Sequence, residues 1–346
     1  MLRPRFLLTA ALLLLIAASV AGVVATGADD RTKPRRLDPA AWGGDHVGKP
    51  TPAYVTGDEC LFCHRKIGPT WNDNPHQLTI RPATPDDPAI AALGELAKGK
   101  EAVTETRHLM GSKRITRFLK RSKDYGKLEL LSTTFHPGEA TRGRDRKTGE
   151  LKHSESLDWD KTTFGDRCAG CHATAVSVKT RAFSATSLDC FSCHGDVDLK
   201  HTKDVNRVLL SSKSRDPRKV VSICGQCHLR GGKSKSTGQP YPNTFVAGDN
   251  LFRDFQVDFS GAAIRAQSTI DRHIYLNARD VAILDRTKTT CLTCHDVHGQ
   301  SSEKHQKLDD SAICASCHVP GSDNSELREA VLRRNRLQSR SRVCDY

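Results

Sequence analysis

Eighteen residues of the chain fall into one unit, Cys-x-x-Cys-His, repeated six times. The copies are Cys60-Cys63-His64, Cys168-Cys171-His172, Cys190-Cys193-His194, Cys224-Cys227-His228, Cys291-Cys294-His295 and Cys314-Cys317-His318. Cysteines three positions apart lie on one side of a helical turn, so two thiols can add to the two vinyl groups of one porphyrin. The histidine that follows then lies under the ring and can ligate the iron. With 13 Cys and 15 His in 346 residues, random order would give about 0.02 such matches, so six are not a product of composition. Zinc knuckles or redox disulfide pairs could use the same thiols, but neither needs a histidine directly after every second cysteine. The chemistry expected is covalent attachment of six haem c groups, with zinc and disulfides as the alternatives. Cys344 is left over, as a free thiol or one half of an intermolecular disulfide.

A six-coordinate iron needs a second axial ligand, and nine histidines lie outside the motifs: His46, His76, His108, His136, His153, His201, His273, His298 and His305. Six-coordination throughout would use six of them, offered to neighbouring haems rather than to the one adjacent in sequence. Met110 is the only methionine besides the initiator, so at most one haem takes the methionine ligand that raises potential. A mostly bis-histidine set implies low-potential electron transfer. His46 falls in a Pro-, Gly- and charge-rich stretch and reads as a solvated loop residue.

The elements that must position these ligands follow from spacing. Successive first cysteines are separated by 108, 22, 34, 67 and 23 residues. The chain therefore divides into a leader at 1–28, a linker at 29–52, a first haem segment at 53–91, a haem-free insert at 92–162 and a three-haem segment at 163–232. A connecting segment at 233–285, a two-haem segment at 286–320 and a basic tail at 321–346 complete it. In the insert, RITRFLKR and KLELLSTTF carry strand formers around Lys123-Asp124-Tyr125-Gly126, so a small hairpin is expected at about 113–135. Only 37% of residues are hydrophobic and 5% aromatic, which is thin for two ordinary cores. The expected fold class is mainly α with extensive coil, a multihaem cytochrome c in which short helices wrap a haem core.

The N-terminus has Arg3 and Arg5 followed by a 20-residue uncharged, mostly apolar run from Phe6 to Ala25. It reads as an export signal with small residues at Val23-Val24-Ala25, or as a retained membrane anchor; both place the rest outside the cytoplasm, in the periplasm or beyond. The formal charge of +13 shrinks once the leader and about twelve haem propionates are counted, to roughly +5 oxidised and −1 reduced. Basicity is thus weak evidence for a partner, and nucleic acid is not expected. The tail SELREAVLRRNRLQSRSR reads as a charged helix exposed to solvent, or as a docking surface for an acidic partner or anionic lipid.

Beyond the haem signatures, the stretches CLFCHRKIGPTWNDNPH, RHLMGSKRITRFL, ICGQCHLRGGKSKSTGQPYPNTFVAGDNL and TTCLTCHDVHG resemble the exported multihaem c-type cytochromes of the doubled-CxxCH group, related to the tetrahaem electron acceptor of hydroxylamine oxidation. The resemblance implies that His76, His201, His273 and His298 are distal ligands, and leaves His108, His136, His153 and His305 competing for the other two positions. The family contains both carriers and enzymes, so the resemblance settles the cofactor chemistry better than the role; the expectation is an electron carrier between redox donor and acceptor proteins, with no catalytic residue assigned. The alternative is an oxidoreductase acting on a small nitrogen or sulfur species at a haem with an open distal position. No motif carries lysine in place of the proximal histidine, as some related nitrite reductases do. A membrane-anchored quinol-oxidising subunit is a third reading, and depends on a retained leader.

Overall fold

The computed structural model describes residues 37–112, 114–137, 149–152, 157–198, 201, 210 and 216–299. The leader, the sixth motif, Cys344, the basic tail, His153 and His305 lie outside the described residues.

The first motif sits on α1 (Gly57–Cys63), opened by Thr56, whose side chain accepts from the Asp58 amide and so satisfies a donor that the first turn leaves unpaired. A short α2 (Gly68–Asn72) follows and buries Trp71. Then come β1 (Ile80–Pro82), α3 (Pro88–Gly94), α4 (Gly99–Glu105), β2 (His108–Met110), β3 (Thr116–Arg121), β4 (Leu128–His136), β5 (Glu150–Lys152) and β6 (Trp159–Asp160). α3 starts where Asp87 accepts from the Ala89 amide and Pro88 supplies a helix-ready φ.

The six strands form one antiparallel sheet in the order β1-β2-β3-β4-β5, with β6 also paired to β4. The expected strand-turn-strand is its β3–β4 hairpin, with Arg121 opposite Leu128 and Gly126 at φ +70° in the turn, a conformation that favours glycine. The expectation of a mainly α chain is therefore corrected to a mixed one. β1, β2 and β6 were not read from the sequence because strands of two or three residues carry too little alternation to register. Ile80–Pro82 pairs with His108–Met110, so the first haem segment and the insert share this sheet.

The sheet's two faces do different things. On one face Leu109, Phe118, Leu131 and Phe135 pack against Ala89, Ile90 and Leu93 of α3 and Ala102 of α4. Burying each large side chain there contributes about 1.5–3 kcal/mol. On the other face Ile80, Met110, Leu119, Leu128 and Leu130 pack against Phe164, Ala169 and Ala173, which flank and enter the second motif. The sheet is a wall against which that motif is built.

The second motif begins in a π-helical turn at Phe164–Cys168 and runs into α5 (Ala169–His172). After the two-stranded β7 (Ala173–Thr174) and β8 (Ala185–Thr186) comes α6 (Cys190–His194), the third motif. α7 (Pro217–His228) ends in the fourth and is capped by Asp216 with Pro217 in its first turn. The chain then passes β9 (Lys233–Ser234), a 3-10 turn at Leu251–Arg253, β10 (Phe255–Gln256), α8 (Gly261–Ala266) and α9 (Thr269–Ala282), and reaches the fifth motif on α10 (Cys291–Cys294). Val221 of α7, Leu229, Leu251, Phe252, Phe255, Ile264 and, from α9, Tyr275, Ala278 and Val281 make a third apolar cluster. Three side-chain clusters therefore exist among the described residues, beside the haem core expected from composition.

Residues 39–44 of the linker are docked. Asn250 donates from its side chain to the Pro39 and Trp42 carbonyls at 2.9 and 2.7 Å, and its amide donates to Gly44 at 2.8 Å. No helix among the described residues is long and apolar enough to cross a membrane.

Candidate haem-binding site

The attachment turns sit in different surroundings. On α1, Cys63 is exposed and Phe62, between the two thiols, is 71% exposed with the Arg65 guanidinium over its ring. On α5 the motif is enclosed: burial pushes the Cys168 thiol up, and it lowers His172 to about 4, helped by the nearby Arg230 charge. On α6, burial pushes Cys193 up to about 11 and lowers His194 to about 4, with the charges of His298, His64 and His201 adding to the effect. His172 and His194 are thus neutral imidazoles at physiological pH, the form in which histidine ligates a metal.

Gly170, inside the second motif, is required by packing. A Cβ there would overlap the Tyr241 ring, whose hydroxyl donates to the Gly165 carbonyl. Gly170→Ala is expected to cost about 1–3 kcal/mol by overpacking and to lower haem occupancy at this motif, read as a fall in covalent haem per chain by intact mass.

Three histidines from outside the motifs face motif histidines. The His64 and His201 ring centres are 6.0 Å apart with planes 4° from parallel. His194 and His298 are 6.1 Å apart at 10°. His76 and His228 are 6.3 Å apart and nearly perpendicular at 82°. An imidazole nitrogen binds a transition metal at about 2 Å and lies about 1 Å from its ring centre, so two rings on opposite sides of one iron are about 6 Å apart. All three pairs match that separation, so these residues fit haem iron. Among the described residues, no three or more His, Cys, Asp or Glu side chains converge as a zinc site would need.

The other candidates are placed differently. His273 is exposed on α9. The His136 Nε2 lies 3.1 Å from the Thr134 hydroxyl. His108 is half-buried on β2, and burial with the Arg121 and Arg107 charges lowers its pKa. None of the three is in ring contact with a described motif histidine.

Two arrangements were missed from the sequence. His46, expected to be a solvated loop residue, has its Nδ1 2.6 Å from Asp249 Oδ2, in the manner of a carboxylate orienting a metal-binding imidazole. Asp189, which caps α6 by accepting from the Phe191 amide, also accepts from the Tyr54 hydroxyl and from the Gly57 amide at 3.4 Å. It fastens the first motif's helix to the third's.

Residues 286–323 match the family described as Doubled CXXCH motif. The chain carries the paired attachment signature of multihaem cytochromes c. No curated protein matches it. Among solved structures, the undecaheme cytochrome from the S-layer of Carboxydothermus ferrireducens is similar, with a TM-score of 0.42 and 18% identity over 79% of this chain. The chain spans 44% of that cytochrome's length.

Proposed function

We propose that the chain is a hexahaem c-type cytochrome that carries electrons outside the cytoplasmic membrane, between redox donor and acceptor proteins, through mostly bis-histidine irons. The observation that carries this reading is the set of three imidazole pairs about one iron's width apart, each joining a motif histidine to one distant in sequence. Haem c, when bound, supplies one-electron iron chemistry. The motif cysteines would tether each porphyrin, and His64 with His201, His194 with His298 and His228 with His76 would each hold one iron between them. An iron held on both faces by protein nitrogen exchanges an electron with little rearrangement and offers no position to a substrate. The irons of the second, fifth and sixth motifs draw their distal ligands from His46, His108, His136, His153, His273 and His305. His46 is favoured among these because Asp249 already holds its Nδ1. The leader delivers the chain across the membrane, and N-terminal sequencing of the purified protein separates cleavage from anchoring.

Intact mass after denaturation tests the reading: six covalent haems are expected beyond the processed polypeptide. Electron paramagnetic resonance of the oxidised protein is expected to show low-spin iron only, and the reduced protein is expected not to bind carbon monoxide. A chain without covalent haem ends the proposal. A high-spin haem that binds carbon monoxide replaces the carrier with an oxidoreductase of a small nitrogen or sulfur species.

A further inference from the structure

We propose that a cleft between the β3–β4 hairpin, the segment leading into the second motif and the loop between β7 and β8 binds a small oxyanion of phosphate or sulfate size. Lys127 at the start of β4, Lys161 and Asp166 ahead of the second motif, and Thr180 and Arg181 of the loop line it, over a floor that includes Phe164. Its volume is about 110 Å³, below the roughly 300–1,000 Å³ of sites that take drug-sized ligands. No motif cysteine or histidine lines it, so it is separate from the haem attachment sites.

Charge selects the ligand. Lys127, Lys161 and Arg181 bring positive side chains to the lining, and Asp166 brings the one carboxylate. Lys127 reaches Asp124 at 3.0 Å, but that carboxylate is 70% exposed, where an ion pair holds a lysine weakly. Asp160, next to Lys161, is already engaged by the amides and hydroxyls of Thr162 and Thr163. Arg181 is only partly satisfied. Its Nε lies 3.6 Å from Asp166 Oδ1, and Nη2 donates to Gln239 at 3.0 Å once that amide is turned with its oxygen toward the guanidinium. Nη1 is shut off from solvent and has no hydrogen-bond partner. A buried donor on a charged group is costly to leave unpaired, and an oxyanion is the acceptor that a guanidinium fork fits. Thr180 Oγ1 accepts from the Ala182 amide at 3.3 Å, which leaves its own proton to donate.

The walls are held by backbone contacts. The Phe183 amide donates to the Gly126 carbonyl at 2.9 Å, and a Cβ at Gly126 would lie 2.9 Å from the Phe183 carbonyl, so the hairpin turn rests directly on the loop that carries Arg181. Gly165 lets the segment ahead of the second motif come equally close, since a Cβ there would lie 3.0 Å from Arg181 Cβ. Arg181 itself has φ +62°, a conformation that a bulky residue keeps only where its surroundings impose it. The donors therefore stand in place before a ligand arrives, which lowers the ordering cost of binding. Asp166 precedes Cys168 by two residues, so a bound anion adds negative charge beside the second attachment turn.

Isothermal titration calorimetry of the purified holoprotein with inorganic phosphate tests the site, in about 0.1 M chloride to screen diffuse attraction to the surface. One saturable equivalent is expected. Lys161 is exposed and belongs to none of the three apolar clusters, so Lys161→Glu is expected to keep the parent circular dichroism and to bind phosphate at least about tenfold more weakly. Arg181→Lys keeps the charge but loses the fork, and is also expected to weaken binding about tenfold. If Arg181→Lys does not fold, Lys161→Glu decides alone. No saturable binding by the parent, or binding that Lys161→Glu leaves unchanged, overturns the proposal. A haem propionate filling the cleft, which would keep phosphate out, overturns it as well. The haem count of the same sample by intact mass keeps a failure of this site distinct from a failure of the haem reading.

Discussion

His298→Ala is expected to convert one low-spin haem of the oxidised protein into a high-spin haem that binds one equivalent of carbon monoxide on reduction. The ring of His298 stands 6.1 Å from that of His194, and the two planes are within 10° of parallel, so on the proposed reading its removal would free one ligand position at the iron held by His194. Its loop is fixed independently of the imidazole, because the His298 and Gly299 amides donate to Asp296 Oδ1 at 3.3 and 3.2 Å. The substitution should therefore change ligation without unfolding the turn. Added imidazole is expected to restore the low-spin spectrum, an outcome that a merely structural role for His298 would not give. His273→Ala, at an exposed position on α9, serves as the comparison and is expected to leave the third haem low-spin. A His298→Ala protein that keeps all its haems and shows no high-spin iron refutes the pairing.

The Cys-x-x-Cys-His signature was legible because it is local: five consecutive residues carry the proposed tether and proximal ligand, and no tertiary structure is needed to see them. The pairing of the imidazoles was not legible from spacing. His64 and His201, His194 and His298, and His76 and His228 are each more than a hundred residues apart in the sequence, and only folding brings them face to face. Asp249 illustrates the same limit, since nothing local tells His46 that a carboxylate will orient it. The sheet was half legible. Nine-residue β4 and six-residue β3 alternate enough to be read, while β1, β2 and β6 acquire their strand character from neighbours. The thin apolar composition also hid a concentration: Leu93, Leu109, Phe118 and Leu119 are completely buried in side-chain clusters.

That concentration sharpens the last expectation. Replacing both tethers of the third motif, Cys190→Ala with Cys193→Ala, is expected to remove more than one haem and to loosen the attachment region while sparing the sheet. α6 packs on α1 and α7, its cap Asp189 holds Tyr54 and the Gly57 amide of the first motif's helix, and Cys190 Sγ stands so close to Gly57 that a Cβ there would lie 3.3 Å from it. A covalent cofactor in such a place stabilises its surroundings as a structural metal does, because the binding free energy is folding free energy. The sheet face formed by Leu109, Phe118, Leu131 and Phe135 packs instead on α3 and α4, away from any motif residue. Intact mass is therefore expected to show a loss of at least two haems. Limited proteolysis should cut first between residues 163 and 232, with the fragment containing β1 to β6 surviving longer. Loss of a single haem with unchanged protease resistance would mean that the attachment helices stand on side-chain packing alone.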